Sequence, residues 1–144
     1  MTGILLGVDY GDVRTGLAVS AGKMAFGAGC VVSKSMRKTV EGVAQAAQRR
    51  QAEGIVLGDP VNMDGTRGPR SEKCQIFADM LAQRTGLPVI LWDERLTTVD
   101  AHEILSEINV RGEKRKKAVD ELSATLILQS YLDQQKEGDN PPVI

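Results

Sequence analysis

Residues 4–20, Ile-Leu-Leu-Gly-Val-Asp-Tyr-Gly-Asp-Val-Arg-Thr-Gly-Leu-Ala-Val-Ser, constrain the fold more than any other stretch. They read as an apolar strand that stops at Asp9, a turn built on Gly11 and Gly16, and a second strand returning over 15–20. A carboxylate leaving a hydrophobic strand stands on rigid backbone where water reaches it, the usual setting of catalytic and metal-binding acids. Asp9 also reads as a turn cap, because Asp and Gly commonly close hairpins. The recurrence of acids at two later element ends favours the first reading.

The 144 residues suffice for one domain with a full core and are too few for two ordinary ones. A single domain is expected over 1–136, with a flexible tail over 137–144. Hydrophobic residues at 42% and charged residues at 26% place the chain among globular proteins. No apolar run approaches the ~20 residues of a membrane helix, since Asp9 and Asp12 cut the first strand short. No basic leader with a small-residue cleavage site precedes that strand, so a cytoplasmic location without membrane contact is expected. Cys30 and Cys74 have no metal-ligand spacing and read as buried or free thiols of a reducing compartment. The one histidine, His102, cannot build a histidine-based metal site, so any metal must be held by oxygen. Oxygen ligands favour magnesium or manganese over zinc.

The formal net charge is -1, which announces no nucleic-acid partner by itself. Positive charge gathers at Lys34, Arg37 and Lys38 and again over 111–117, Arg-Gly-Glu-Lys-Arg-Lys-Lys. Such runs are either solvated loops or a surface that tracks phosphates. Aromatic residues at 3% argue against single-strand binding by base stacking.

After the hairpin, 24–33 reads as a third strand. Val40, Val43, Ala44 and Ala47 then recur at helical spacing from Ser35, with Gly54 as the stop. The continuous apolar run 55–58 is a strand covered on both faces, and it ends at Asp59-Pro60. The loop 59–71 exceeds the usual connection of about 2–6 residues, which points to substrate binding. Ser71 is a candidate cap for a helix carrying Cys74, Phe77, Ala78 and Leu81, closed by Gly86 and Pro88. A strand over 89–92 runs into Asp93 and Glu94. Thr97 or Thr98 can cap a helix with Val99, Ile104, Leu105 and Ile108, and a last helix is expected from about Val119. Asp120 falls in the first turn of that helix, either as a cap or as an acid bordering the core. Strands and helices in this order predict an α/β fold whose five-stranded mixed sheet joins an antiparallel N-terminal meander to parallel crossover strands, flanked by helices.

Asp9, Glu94 and Asp120 thus leave distant elements that can meet at one sheet edge. Clustered carboxylates stay ionised together only around a cation, and two Mg²⁺ or Mn²⁺ ions among them suit phosphodiester hydrolysis. Asp93 competes with Glu94, since adjacent residues of a strand point opposite ways; Glu94 is preferred. The blocks Gly7-Val8-Asp9-Tyr10-Gly11 with 14–18, Gly58-Asp59-Pro60 with 62–65, 93–99, and Lys117-Ala118-Val119-Asp120 with 124 and 127–132 resemble the YqgF (RuvX) family over nearly the whole chain. The resemblance implies an RNase H-like fold and a metal-dependent nuclease that matures the 5′ end of pre-16S rRNA, or in some members resolves Holliday junctions. It maps the acidic site onto Asp9, Glu94 and Asp120. It also places Arg14, Arg95, Thr97, Thr98 and Lys117, with Asn62 and Gly65 of the long loop, near substrate. Asp59 departs from the uncharged residue found at this place in many members, and another acid there would alter metal occupancy or substrate approach.

Pre-rRNA and branched DNA are therefore the expected partners, with the chain acting as a monomer or a homodimer. Two other classes fit parts of the sequence. The Asp9-x-Gly11 turn followed by Gly16 also resembles the phosphate hairpin of actin-like nucleotide-binding proteins, which need two such domains. A non-catalytic nucleic-acid-binding module would use Lys34, Arg37 and 111–117 without cleaving anything.

Overall fold

The computed structural model describes residues 3–97 and 112–139. Strands β1(Leu5–Asp9), β2(Arg14–Ala21) and β3(Met24–Val32) form an antiparallel meander, and helix α1(Met36–Arg49) then leads to β4(Gly54–Asp59). Helix α2(Pro69–Thr85) leads on to β5(Val89–Asp93), which runs into a 3-10 turn, Glu94–Leu96; the last helix described is α3(Gly112–Asp139). The strand order is β3-β2-β1-β4-β5, with β1, β4 and β5 mutually parallel. This is the mixed five-stranded sheet that the element order predicts. The helix expected over 99–108, with Thr98, His102 and Arg111, lies outside the described residues.

Strand alternation divides the core into two layers, since successive side chains point to opposite faces. Leu6 and Val8 of β1, with Ile55 and Leu57 of β4, pack against Val40 and Val43 of α1 and Phe77 and Leu81 of α2. Leu5 and Val56, one position out of phase, pack against Ala124, Ile127 and Leu128 of α3. Val89 and Leu91 of β5 join the α1–α2 layer, whereas Ile90 and Trp92 join the α3 layer. α3 is held in place by the edge-on ring contact of Trp92 with Tyr131, centroids 5.4 Å apart, and by the Trp92 indole N–H donating to Ser130 Oγ at 3.1 Å. At the far edge, the Ala25 backbone N–H donates to Gln129 Oε1 at 2.9 Å.

Four local expectations need correction. Gly16 lies inside β2, paired with Asp9, and the turn is made by 10–13. α1 stops at Arg49, where Gln51 takes a positive φ of 55°, and Gly54 instead opens β4 beside Leu5, within reach of the Leu5 and Pro88 side chains. α2 is capped by Gly68 with Pro69 in its first turn, while the Ser71 hydroxyl is spent on Asp59. α3 begins at Gly112, so the backbone of the basic run is helical over 112–117. Glu, Lys and Arg favour helix without supplying an apolar face, and periodicity therefore misses that start. Asp120 consequently sits two turns into α3 and cannot be its cap.

Candidate active site

The three parallel strands each end in an aspartate: Asp9 on β1, Asp59 on β4 and Asp93 on β5. Strand phase gives them different fates. Asp59 is in phase with Ile55 and Leu57, and Asp93 with Val89 and Leu91, so both lie on the α1–α2 side. Asp9 is in phase with Leu5 and Gly7 and lies on the α3 side. Glu94, one residue beyond Asp93, returns to that side: its side chain packs over Gly58, where a Cβ would stand 3.2 Å from the Glu94 carboxyl carbon.

Each acid on the α1–α2 side holds an arginine. Asp59, 2% exposed, accepts from Arg67 Nη1 at 2.6 Å and from Ser71 Oγ at 2.6 Å. Asp93 accepts from Arg95 through Nε, at 3.1 and 3.0 Å, and through Nη2 at 2.7 Å. Those bonds hold its carboxyl below the usual carboxylate range. The extra acid at Asp59 is thus neutralised locally and fastens the loop 60–68 to the base of α2.

Asp9 meets the opposite environment. The residue is half-buried, contrary to the water-exposed turn expected of it. Burial, then the charges of Glu94 and Asp120, push its carboxyl from 3.8 up to about 7, with Arg70 pulling in the other direction. Burial likewise raises Glu94, assisted by the nearby Asp59 and opposed by Arg70. Asp120 is brought in by close backbone packing, because a Cβ on Gly16 would collide with the Asp120 carbonyl. Gly16 and Gly58 therefore flank Asp9 on its two neighbouring strands and make room for Asp120 and Glu94 respectively. Neither role shows in a linear sequence, although an isolated Gly within an apolar strand is the available signal for a close approach.

Among the described residues no three His, Cys, Asp or Glu side chains are gathered closely enough as they stand to hold a metal ion. The residues fit a hard divalent cation in kind: Asp9, Glu94 and Asp120 offer oxygen donors alone, the charges of Glu94 and Asp120 both act on Asp9, and burial first, then those charges, keeps Asp9 partly protonated. An open cleft of ≈ 430 Å³ reaches Glu94, bounded by Pro60, Val61, Met63, Arg95 and Thr97.

Among the described residues the other expected substrate contacts each have local partners. Arg95 donates to the Met63 carbonyl at 3.2 Å besides binding Asp93, so it braces the cleft wall. Asn62 and Gly65 build the turn of the long loop, where the Gly65 N–H donates to the Asn62 carbonyl at 2.8 Å and Gly65 has a φ of 89°. Asn62 Nδ2 also donates to Thr66 Oγ1 at 3.0 Å. The Thr97 N–H closes the 3-10 turn onto the Glu94 carbonyl at 3.0 Å, and its Oγ1 is buried beside the cleft. Arg14 opens β2 opposite Val32. The side chain of Lys117 falls outside the described residues. Arg70, which sequence reasoning passed over, projects from the first turn of α2 and donates to the Tyr10 carbonyl at 3.2 Å. Cys30 and Cys74 are free thiols, and burial pushes the Cys74 thiol up to about 12.

The family model described as "RuvX: Holliday junction resolvase" matches residues 3–134. A protein of Agathobacter rectalis named "Putative pre-16S rRNA nuclease" is 46% identical over 134 residues, covering 90% of this chain and 94% of its own. A protein of the same name from Halothermothrix orenii is 40% identical over 135 residues, covering 92% and 96%. Among solved structures, Thermus thermophilus RuvC in complex with a Holliday junction superposes with a TM-score of 0.56 at 16% identity, over 91% of this chain and 95% of that one. The Fowlpox virus resolvase gives 0.52 at 13% identity, over 92% and 98%. These likenesses give the chain an RNase H-like fold. Its match along nearly the full length makes this chain a member of the RuvX family.

Proposed function

We propose that the chain is a divalent-metal-dependent endonuclease that matures the 5′ end of pre-16S rRNA. The observation that carries this is the phase of the strands: Asp9 and Glu94 share the α3 side with Asp120, while the two other terminal aspartates are tied to arginines on the opposite side. The names of the curated relatives supply the substrate.

Asp9, Glu94 and Asp120 would hold Mg²⁺ or Mn²⁺, two ions in all. Held there, such ions would supply a lowered pKa for the attacking water and charge stabilisation for the leaving oxygen. For its part the chain must present Asp9 deprotonated, and Arg70 assists by opposing the burial that raises it. Glu94 reaches the site from a 3-10 turn whose rigidity comes from the Thr97 N–H and from Arg95 clamped on Asp93. The cleft beside Glu94 admits the chain to be cut, and the Arg67–Asp59 pair fixes its Pro60–Met63 wall.

Resolution of branched DNA is the second reading, favoured by the description of the family. Cutting two strands symmetrically would require a homodimer. Purified protein assayed on precursor rRNA and on a four-way DNA junction, with Asp9→Asn as control, separates the two. Cleavage of the rRNA precursor that is lost in Asp9→Asn is expected. Inactivity on RNA with clean junction cutting would reverse the order.

A further inference from the structure

Asp12, in the turn between β1 and β2, is shared by two cations of α2. Lys73 Nζ lies 2.6 Å from its Oδ1 and Arg70 Nη1 lies 3.2 Å from its Oδ2. Arg70 is also oriented by its Nη2 bond to the Tyr10 carbonyl, the residue next to Asp9. All three side chains stay open to solvent, at 51% for Arg70, 44% for Lys73 and 58% for Asp12. Two positive charges on one carboxylate leave an excess of one, in a geometry that presents a guanidinium edge and an ammonium to the same pair of oxygens. A phosphodiester offers the same target, two non-bridging oxygens sharing one negative charge.

We infer that Arg70 and Lys73 form a phosphate clamp for the nucleic-acid backbone beside the acidic site, and that Asp12 occupies the clamp as a stand-in for the phosphate. The clamp rests on the nuclease reading for its ligand and on these contacts for its place. Its position follows from Arg70, which bridges Asp12 and the carbonyl of Tyr10, the residue next to Asp9. Backbone contacts of this kind fix register without reading sequence, so the clamp serves RNA and DNA alike. Asp12 has a second consequence: it keeps both cations extended and aligned before the ligand arrives, and must be displaced when it does.

The test measures binding rather than cleavage. A fluorescent 20-nucleotide single-stranded RNA and a four-way DNA junction are titrated with full-length Asp9→Asn protein in Mg²⁺ buffer, across a series of salt concentrations. Adding Arg70→Gln or Lys73→Gln should weaken both probes about tenfold and lower the salt slope by about one for each lost cation. Arg70→Lys should keep the slope with an intermediate affinity, because charge survives and the fork does not. Asp12→Asn should tighten both probes. Loss of helical circular dichroism in a Gln variant would be met by judging the clamp on Arg70→Lys and Asp12→Asn alone. If the parent binds and neither Gln variant changes affinity or slope, or if Asp12→Asn weakens binding, the clamp is refuted and the nuclease reading stands. If the parent binds neither probe, both fall together.

Discussion

Gly16 pairs with Asp9 across the β1–β2 ladder and lies directly beneath the backbone of Asp120, so that one missing side chain brings two acids of the site together. A methyl group at Gly16 has backbone for a neighbour, and backbone does not yield as a flexible side chain would. Gly16→Ala should therefore push α3 off β2. The expected cost is about 1–3 kcal/mol of stability from overpacking, and displacement of Asp120 should lower cleavage about a hundredfold. Urea melts and initial rates on the same preparation check both. Retention of full rate would show that the close approach is not what places Asp120.

Asp9 stores an electrostatic cost. Its pKa is raised on folding, so the folded protein binds a proton more tightly than the unfolded chain. Stability should accordingly fall as pH rises from about 4 and level off above about 7, by on the order of 4 kcal/mol in metal-free buffer. Asp9→Asn should flatten that slope and melt higher than the parent at pH 8. Thermal melts in EDTA across the range measure it.

The same proton competes with metal. At limiting Mg²⁺, the cleavage rate should climb with pH up to about 7 as Asp9 loses its proton, and saturating Mg²⁺ should move the rise to lower pH. A pH profile that ignores Mg²⁺ concentration would separate the titrating group from the metal-holding acids.

Asp59 is buried and relies on Arg67 and Ser71. Arg67→Ala leaves a desolvated carboxylate and should cost about 2 kcal/mol, whereas Asp59→Asn with Arg67→Gln should recover roughly half of that. Denaturant midpoints of the single and double variants test the pairing. The single variant should also slow cleavage, since the loop forming the cleft wall is released.

Much of this was legible in the chain. The apolar runs 4–8, 55–58 and 89–92, each ending in an acid, set out the parallel half of the sheet, and period-two alternation alone puts Asp93 and Glu94 on opposite faces. What stayed hidden depends on distance. No spacing rule links Asp59 to Arg67 and Ser71, or Asp12 to Lys73 across 61 positions. The burial of Asp9 was equally invisible, because it comes from α3 crossing the glycines of β1 and β2. The start of α3 escaped for another reason: 113–117 are all charged, and such a run reads the same in a helix as in a solvated loop.

The central claim is that Asp9, Glu94 and Asp120 together hold the divalent ions that support cleavage. An anomalous difference map from crystals soaked in Mn²⁺ tests it most directly. Peaks shared by the carboxylates of Asp9, Glu94 and Asp120, absent from Asp9→Asn crystals soaked in parallel, are the predicted result. Mn²⁺ bound only elsewhere, with cleavage intact in Asp9→Asn, would contradict it.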